Sequence, residues 1–343
     1  MLFYIISSIL VIISCLFSIF TFKKLNIVDK PDGIRKIHKG EMPLGGGFTL
    51  FICSVLVYFF LFNSNEVNPD LKSIFQVSLI VLILGLVDDI KPLLISVRLI
   101  IQILASWLVI IITDIYVKDL GDLFGLGNIY LGQLGIPLTI FMIVGMCNAF
   151  NMIDGMDGLV GFVALVASAS LGIIAIYNGI SHKVFFPSIA LSIFLFFNLG
   201  LLGKRWKMFL GDSGAYWVGF ILAWYLVALS QQDIALIKAS TALWFVLLPL
   251  IDALSTFLSR LYSKKQIFSG DRSHIHHMLL DSGLEKWKVL LIFLIISVFS
   301  GTFGVISVFY EIKEYYQFYG FLTLWFFYFL LVKFPYSRRS SRR

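Results

Sequence analysis

Charged residues and cysteines are scarce in this sequence of 343 residues. Only 14% of the residues are charged, whereas 59% are hydrophobic and the mean hydropathy is +0.92. Soluble domains carry about 25% charged residues and disordered chains carry little hydrophobic sequence, so both classes are excluded. The three cysteines, Cys15, Cys53 and Cys147, lie in or beside hydrophobic runs. Their small, odd number excludes a disulfide scaffold and indicates reduced packing residues.

Hydrophobic runs close to the bilayer length recur along the whole chain. They cover residues 2–22, 44–62, 73–87, 97–113, 136–147, 159–177, 184–201, 215–230, 239–258, 288–309 and 317–332. These eleven runs predict an all-α integral membrane protein with about 10–11 transmembrane helices. The third and fifth runs are short and end at polar motifs, so their helices are expected to be tilted, broken or extended into those motifs. No linker or repeat divides the chain, which predicts one polytopic domain, 1–332, followed by a basic cytoplasmic tail, 333–343.

The distribution of Lys and Arg predicts the orientation of the helices. With the N-terminus outside, 22 of the 27 Lys and Arg residues lie in or beside the cytoplasmic loops and the C-terminal tail. Lys23 and Lys24 follow the first run instead of preceding it, so this run is expected to be a retained span and not a cleaved signal. Topology therefore accounts for the net charge of +7. We expect no nucleic-acid partner, and we expect the tail to attract anionic membrane lipid.

Acidic residues and histidines gather in the same predicted cytoplasmic loops and helix ends. The group comprises Asp88, Asp89, Asp154, Asp157, Asp212, Asp271, His38, His274, His276 and His277. Only Asp252 lies well inside a hydrophobic run, about two turns from its predicted inner end. A transporter would place its essential charges near the middle of the membrane. Carboxylates and basic residues on one face are instead typical of an enzyme that brings a metal-bound, phosphate-rich substrate to a lipid.

Two aspartate motifs end or begin hydrophobic runs. In GLVDDIKP, Asp88 and Asp89 could hold Mg²⁺, although simple helix termination would be the preferred explanation of an isolated Asp-Asp pair. In MFLGDSGA, Asp212 is predicted to be a metal ligand or a helix cap, and Phe209 offers a stacking surface for a nucleobase. GDSG also resembles the nucleophile segment of trypsin-like proteases. We reject that interpretation, because Ser213 lies at the start of a membrane helix without a supporting triad.

The segment NAFNMIDGMDGL, 148–159, is the most specific of the motifs. Asp154 and Asp157, three residues apart, could share a helical face and would repel each other unless a cation joined them. Asn148 and Asn151 supply hydrogen-bond donors and acceptors for a base or a sugar. A capped helix start explains one of the aspartates but not the whole set.

A histidine-rich segment, DRSHIHHMLL, lies in the largest predicted cytoplasmic loop. His274, His276 and His277 follow Arg272. Zinc binding is one interpretation, but no cysteine lies nearby, so we favour phosphate binding. A histidine can also shuttle a proton near neutral pH.

Taken in order, these motifs resemble the polyprenyl-phosphate N-acetylhexosamine-1-phosphate transferase family. The matching features are VDKP with RKIHKGEMPLGGG, then DDI, NAFNMIDGMDGL, MFLGDSGA and SHIHH, over nearly the whole length. The histidine segment and the run TALWFVLLPLIDA are most similar to the bacterial branch that begins O-antigen or enterobacterial common antigen synthesis. The resemblance implies transfer of GlcNAc-1-phosphate from UDP-GlcNAc to undecaprenyl phosphate, with UMP released and Mg²⁺ or Mn²⁺ as cofactor. It implies an active site on the cytoplasmic face of the bacterial inner membrane, in a homodimer.

The resemblance also implies roles for individual residues. Asp212, with Asp88 and Asp89, would bind the metal. Asp154 and Asp157 would organise the nucleotide and the metal, and Asp88 is the favoured base. His274 is counted with these catalytic residues. The expected substrate-binding residues are Lys36, Arg98, Arg272, His276 and His277 for the phosphates, and Asn148, Asn151 and Phe209 for the nucleoside.

Two positions depart from the family pattern, and three alternatives stay open. Ala215 stands where relatives often carry Ser, and the Asp-Asp pair lacks a third acidic residue nearby. The sugar could be another N-acetylhexosamine, such as GalNAc, FucNAc or QuiNAc, with a MurNAc-pentapeptide donor the least favoured. An ion-coupled transporter is a rival from another class, and a non-catalytic membrane scaffold leaves the motifs unexplained.

Overall fold

The computed structural model describes residues 1–30, 40–61, 69–231, 235–263 and 274–334. Within these ranges the chain is mainly helical. One antiparallel strand pair joins β1 (Val28–Asp29) to β2 (Met42–Pro43), and an isolated antiparallel bridge joins Asp119 to Tyr130 in the long loop 114–131. The helices are α1 (Leu2–Lys24), α2 (Gly46–Leu61), α3 (Pro69–Ile90), α4 (Ile95–Thr113), α5 (Gly135–Ile153), α6 (Leu159–Tyr177), α7 (Phe186–Asn198), α8 (Gly211–Gln231), α9 (Ala239–Phe245), α10 (Leu247–Tyr262), α11 (Ile275–Asp281), α12 (Lys286–Phe309) and α13 (Glu314–Tyr328).

The described helices confirm the predicted all-α membrane class. Eight of them are long and apolar enough to cross a membrane, and α9 with α10 forms an apolar helix pair that bends by 90°. Two further apolar helices, in α2 and α7, are shorter than a straight crossing requires. Each of the eleven predicted runs therefore coincides with a helix. The third and fifth runs extend into their polar motifs, because α3 includes Asp88 and Asp89, and α5 includes Asn148 and Asn151.

A proline explains the break between α9 and α10. Pro249 lies in the first turn of α10 and has no amide hydrogen to donate to the carbonyl of Phe245. The missing hydrogen bond and the clash of the proline ring with this carbonyl disfavour a continuous helix, and Val246 takes a non-helical conformation (φ −127°, ψ 29°). The run 239–258 consequently forms two helices that meet at a 90° bend, instead of one continuous helix.

Helix α8 lies at the centre of the bundle and is the most buried of the spanning helices. Its neighbours approach it through glycines. A side chain at Gly47 of α2 would overlap the backbone of Gly214, and one at Gly85 of α3 would overlap Ser213. Gly219 of α8 similarly faces the backbone of α5. These close contacts fix the start of α8 relative to three other helices.

Backbone hydrogen bonds join the segment before α2 to the segment before α8. The Phe209 N–H donates to the Pro43 carbonyl (2.9 Å), and the N–H groups of Gly46 and Gly47 donate to Phe209 and Leu210 (3.0 Å each). α3 and α5 finish, and α8 begins, at this end of the bundle, which we call the site end. The GEMPLGGG and MFLGDSGA motifs are therefore neighbours in space.

The end of the last helix differs from the predicted tail. A π-helical turn, Phe329–Lys333, continues α13, and the Lys333 side chain is completely buried. Lys333 is thus part of the folded helix and not of an exposed tail. The rest of the predicted tail, 335–343, lies outside the described residues.

Candidate active site

Asp89 holds the start of α8 in place. Its Oδ1 accepts a hydrogen bond from the Asp212 N–H (2.8 Å), and its Oδ2 accepts one from the Ser213 N–H (3.2 Å). A carboxylate in this position satisfies free amides and interacts favourably with the helix dipole. Gly211 makes the approach possible, since it has a positive φ (+77°) and a side chain there would press on Asp89. The cap of α8 is therefore supplied by α3.

Asp212 is brought close to residues of two other helices. Its Oδ1 accepts a hydrogen bond from Asn151 Nδ2 (2.7 Å), which lies on the last turn of α5. Asp154 follows directly after α5. Burial raises the pKa of Asp154 well above its ordinary value of 3.8, and the charges of Asp212, Asp157 and Asp89 raise it further. We call Asp89, Asp154 and Asp212 the acidic group.

The acidic group suits a cation, but it is not a complete ligand set. Among the residues that the structure describes, no three His, Cys, Asp or Glu residues are grouped so as to hold a metal ion. Of the predicted metal ligands, Asp88 accepts a hydrogen bond from Arg98, and Asp89 accepts one from the backbone at the start of α8. The charge of Asp212 raises the pKa of Asp154, so these two carboxylates repel each other when both are ionised. They fit Mg²⁺, which commonly takes one or two carboxylates and completes its shell with water and substrate phosphates.

Asp88 lies in a separate hydrogen-bonded group. Its Oδ1 accepts from the Leu93 N–H (2.7 Å), while its Oδ2 lies 3.1 Å from both Arg98 Nη1 and the Tyr216 hydroxyl. The Arg98 Nη1 also donates to the Tyr216 oxygen (3.0 Å). Arg98, predicted to bind phosphate, is therefore held by Asp88 and Tyr216. The adjacent carboxylates Asp88 and Asp89 thus have different partners.

The loop after α5 is tied to the segment before α8. Asp157 forms an ion pair with Lys207 Nζ (2.6 Å), and the same ammonium lies 5.3 Å from the centre of the Phe209 ring. Asn198 bridges the two segments, because its Oδ1 accepts from Gly158 N–H (2.7 Å) and its Nδ2 donates to the Met208 carbonyl (3.1 Å). The predicted nucleoside residue Phe209 is consequently close to the Asp157 carboxylate.

Asn148 lies apart from Asn151. It is about one turn earlier in α5, and its Nδ2 donates to Gln102 Oε1 of α4 and to the Val144 carbonyl (2.7 Å each). The structure therefore brings Asn151 to Asp212 but joins Asn148 to α4. Their predicted role in binding the nucleoside stays a prediction for both residues.

The histidine motif is attached to α10. His274 Nδ1 lies 2.8 Å from Asp252 Oδ2, and the Ile275 N–H donates to Asp252 Oδ1 (3.1 Å). The His276 ring is completely buried and packs against the backbone of Gly155, next to Asp154. Burial lowers the pKa of His276 to about 3, so this ring is neutral at physiological pH.

The remaining predicted phosphate-binding residues are His277, Lys36 and Arg272. His277 is half-buried, with its ring centre 4.1 Å from that of His276. Lys36 and Arg272, predicted to bind phosphates, lie outside the described residues. The phosphate-binding role of the histidines stays a prediction.

Several polar residues that contact the predicted site residues lie outside the motifs predicted to form the site. They are Gln102, Asn198, Tyr216 and Lys333, which contact Asn148, Gly158, Asp88 and Asp252 respectively. Gln102, Asn198 and Tyr216 lie in predicted hydrophobic runs, where a polar side chain is itself a signal of a partner. Lys333 directly follows the last run and was assigned to the tail.

Comparison with known proteins relates these helices to a described family. A family model, Glycosyl transferase family 4, matches residues 71–230, which contain the DDI, NAFNMIDGMDGL and MFLGDSGA motifs. Three similar curated proteins are each named undecaprenyl-phosphate alpha-N-acetylglucosaminyl 1-phosphate transferase. The Yersinia pestis protein is 31% identical over 83% of this chain and 78% of its own length. The Escherichia coli K12 protein is 31% identical (83% and 77%), and the Haemophilus influenzae protein is 32% identical (89% and 86%).

Proposed function

The chain belongs to glycosyl transferase family 4, the polyprenyl-phosphate N-acetylhexosamine-1-phosphate transferases, and we propose that it transfers GlcNAc-1-phosphate from UDP-GlcNAc to undecaprenyl phosphate. The products are undecaprenyl-pyrophosphoryl-GlcNAc and UMP. The names of the related proteins support the acceptor and the transferred group. The observation that carries the proposal is the acidic group, in which carboxylates from α3 and α8 and the loop after α5 meet at one end of the bundle.

The reaction exchanges one phosphate bond for another. A phosphate oxygen of undecaprenyl phosphate attacks the β-phosphorus of UDP-GlcNAc and forms the new P–O bond. The bond between the β-phosphorus and the bridging oxygen breaks, and UMP leaves with that oxygen and its electron pair. The acceptor is a phosphate monoester with a second pKa of about 6, so it is largely dianionic and needs positioning more than activation.

The residues of the site divide these tasks. Asp212 and Asp154 would hold Mg²⁺ or Mn²⁺, which would supply positive charge to neutralise the phosphates. Asp88, the base predicted from the sequence, already accepts hydrogen bonds from Leu93, Arg98 and Tyr216, which suits it to orienting Arg98. Phe209 lies in the segment before α8, where it can stack on uracil.

The same proposal assigns the protein to the bacterial inner membrane, with the site end towards the cytoplasm. The 22 Lys and Arg residues counted in and beside the cytoplasmic loops and tail support this orientation. UDP-sugars are water-soluble, whereas the acceptor is a lipid, so a site at the membrane surface can reach both. The product would enter lipid-linked glycan assembly, such as O-antigen synthesis.

The experiment is transfer by the purified protein from UDP-GlcNAc, radiolabelled in the sugar, to undecaprenyl phosphate. We expect labelled lipid and equimolar UMP with Mg²⁺, and neither product with EDTA. Product from UDP-GalNAc, UDP-FucNAc or UDP-QuiNAc, but not from UDP-GlcNAc, would contradict the proposed sugar specificity and support the proposed reaction. A folded sample that is inactive with every donor would contradict the proposal.

A further inference from the structure

A buried polar network lies behind the histidine motif. It consists of Asp252, Thr256, His274, Tyr328 and Lys333, and we call it the Asp252 network. Asp252 is 1% exposed and Lys333 is fully buried. Charged side chains are rarely found so deep in apolar helices unless they are paired. The Lys333 ammonium lies 3.7 Å from Asp252 Oδ1 and donates a hydrogen bond to Thr256 Oγ1 (2.6 Å).

Asp252 connects this network to the first turn of α11. Its two oxygens contact His274 Nδ1 (2.8 Å) and the Ile275 N–H (3.1 Å), and the Tyr328 hydroxyl donates to Oδ1 (3.1 Å). Helix α11 has only seven residues. A helix of this length is not stable by itself, so its position depends on contacts with the rest of the protein.

Helix α11 in turn packs on the loop that carries Asp154. The His276 ring lies so close to Gly155 that a side chain there would overlap Nε2. The rings of His274 and His276 are nearly parallel, with an angle of 8° and centres 6.2 Å apart. A shift of His274 would therefore move His276 against the Asp154 loop.

We infer that Asp252 and Lys333 are positioning residues, which hold α11 and its histidines against the Asp154 loop at the candidate active site. Asp252 binds His274 and the start of α11, and Lys333 balances the Asp252 charge from the end of α13. The last helix thereby takes part in shaping the site. The effect on turnover rests on the proposed function, whereas the effect on α11 does not.

The first test is hydrogen–deuterium exchange of the full-length protein at residues 275–281. Asp252→Asn removes the charge and keeps the shape, so exchange in α11 should rise roughly 10- to 100-fold, the effect of losing one hydrogen bond to a charged group. Glu285→Gln and Lys288→Met are matched controls, because they remove the same charges from an exposed pair (2.9 Å). They should leave α11 unchanged. Wild-type exchange in Asp252→Asn would overturn the inference.

The second test separates positioning from simple charge balance. Lys333→Met should lower Tm, since it leaves Asp252 charged and buried without its ammonium. The double variant Asp252→Asn/Lys333→Met has no charge in the pair and should recover Tm. Its exchange in α11 should stay high, and its kcat/KM for UDP-GlcNAc should stay roughly tenfold low. Recovery of Tm, exchange and kcat/KM together would show charge balance alone and overturn the positioning role.

The two proposals can fail separately. If the wild-type protein transfers no sugar phosphate from any donor, the proposed function fails. The exchange measurement still decides whether Asp252 holds α11. If the wild type is active and Asp252→Asn keeps both its exchange pattern and its kcat/KM, only the positioning role fails.

Discussion

The acidic group and the Asp252 network are both built on buried or half-buried carboxylates, yet their charges are arranged in opposite ways. In the acidic group, Asp154 faces the negative charges of Asp212 and Asp89, and its pKa is raised. In the Asp252 network, the carboxylate meets the Lys333 ammonium, a histidine and a backbone N–H. The carboxylates of the acidic group repel one another, whereas the charges of the Asp252 network compensate each other.

This contrast distinguishes the acidic group, which suits a bound ligand, from the Asp252 network, which suits a structural role. Repelling carboxylates lower the stability of the folded protein unless a cation joins them, so their arrangement makes sense for a site that binds one. A balanced network needs no ligand and can hold neighbouring elements in place. The two groups are linked through His276, which lies between the Asp252 side and Gly155.

The largest expected effect concerns the acidic group. Asp212→Asn should abolish measurable transfer, a loss of more than about 1000-fold, because the amide cannot replace a charged metal ligand. The variant should still insert into membranes, since Asn retains the shape and Asp89 still caps α8. Transfer assays on membranes with matched protein amounts provide the measurement, with Glu285→Gln as control. Near-normal activity of Asp212→Asn would show that Asp212 is not a required metal ligand.

A smaller effect should have opposite signs in the two groups. Without metal, and at a pH above the raised pKa of Asp154, Asp154→Asn should raise Tm by about 2 °C or more, because it removes one of several repelling charges. Asp252→Asn should lower Tm, because it breaks a balanced pair and leaves Lys333 buried. Thermal unfolding in detergent with EDTA compares the two. Tm changes of the same sign in both variants would show that the acidic group and the Asp252 network do not differ in their charge balance.

The smallest effect is the pH dependence of the acidic group. The folded protein binds the Asp154 proton more tightly than the unfolded chain does, so this proton stabilises the fold at low pH. That contribution is lost as the pH rises from about 3.8 through the raised pKa. The Tm of the metal-free protein should therefore fall over this range, and the slope should be smaller in Asp154→Asn. An unchanged slope in the variant would exclude Asp154 as its source.

The positions of the helices could be predicted from hydrophobicity alone, but the partners of single side chains could not. Every predicted run is helical, with 239–258 divided into two helices, because a run of apolar residues in lipid must satisfy its own backbone. The sequence could not distinguish Asp88 from Asp89. Adjacent residues point about 100° apart on a helix. Asp88 therefore reaches Arg98 while Asp89 caps α8, and that choice depends on which helix packs on each face.

Pairs of side chains that are far apart in the chain could not be predicted from the sequence either. Asp252 stood out because it lies inside a hydrophobic run, which predicts a partner. Its cation, Lys333, is far away in sequence and lies in a basic stretch that also suits a tail. Pro249 was visible as a helix breaker, but the 90° bend that follows depends on how α9 and α10 pack.

The glycine contacts of α8 have a consequence for the depth of the reaction. Bilayers differ in thickness, and transmembrane helices usually respond by tilting. The backbones of α2 and α3 touch α8 at Gly47 and Gly85, so these helices cannot slide or tilt independently of it. Asp89 and Asp212 must then move with the bundle as one rigid body. The distance between the carboxylates would stay constant in membranes of different lipid composition, although the acceptor itself is dissolved in that lipid.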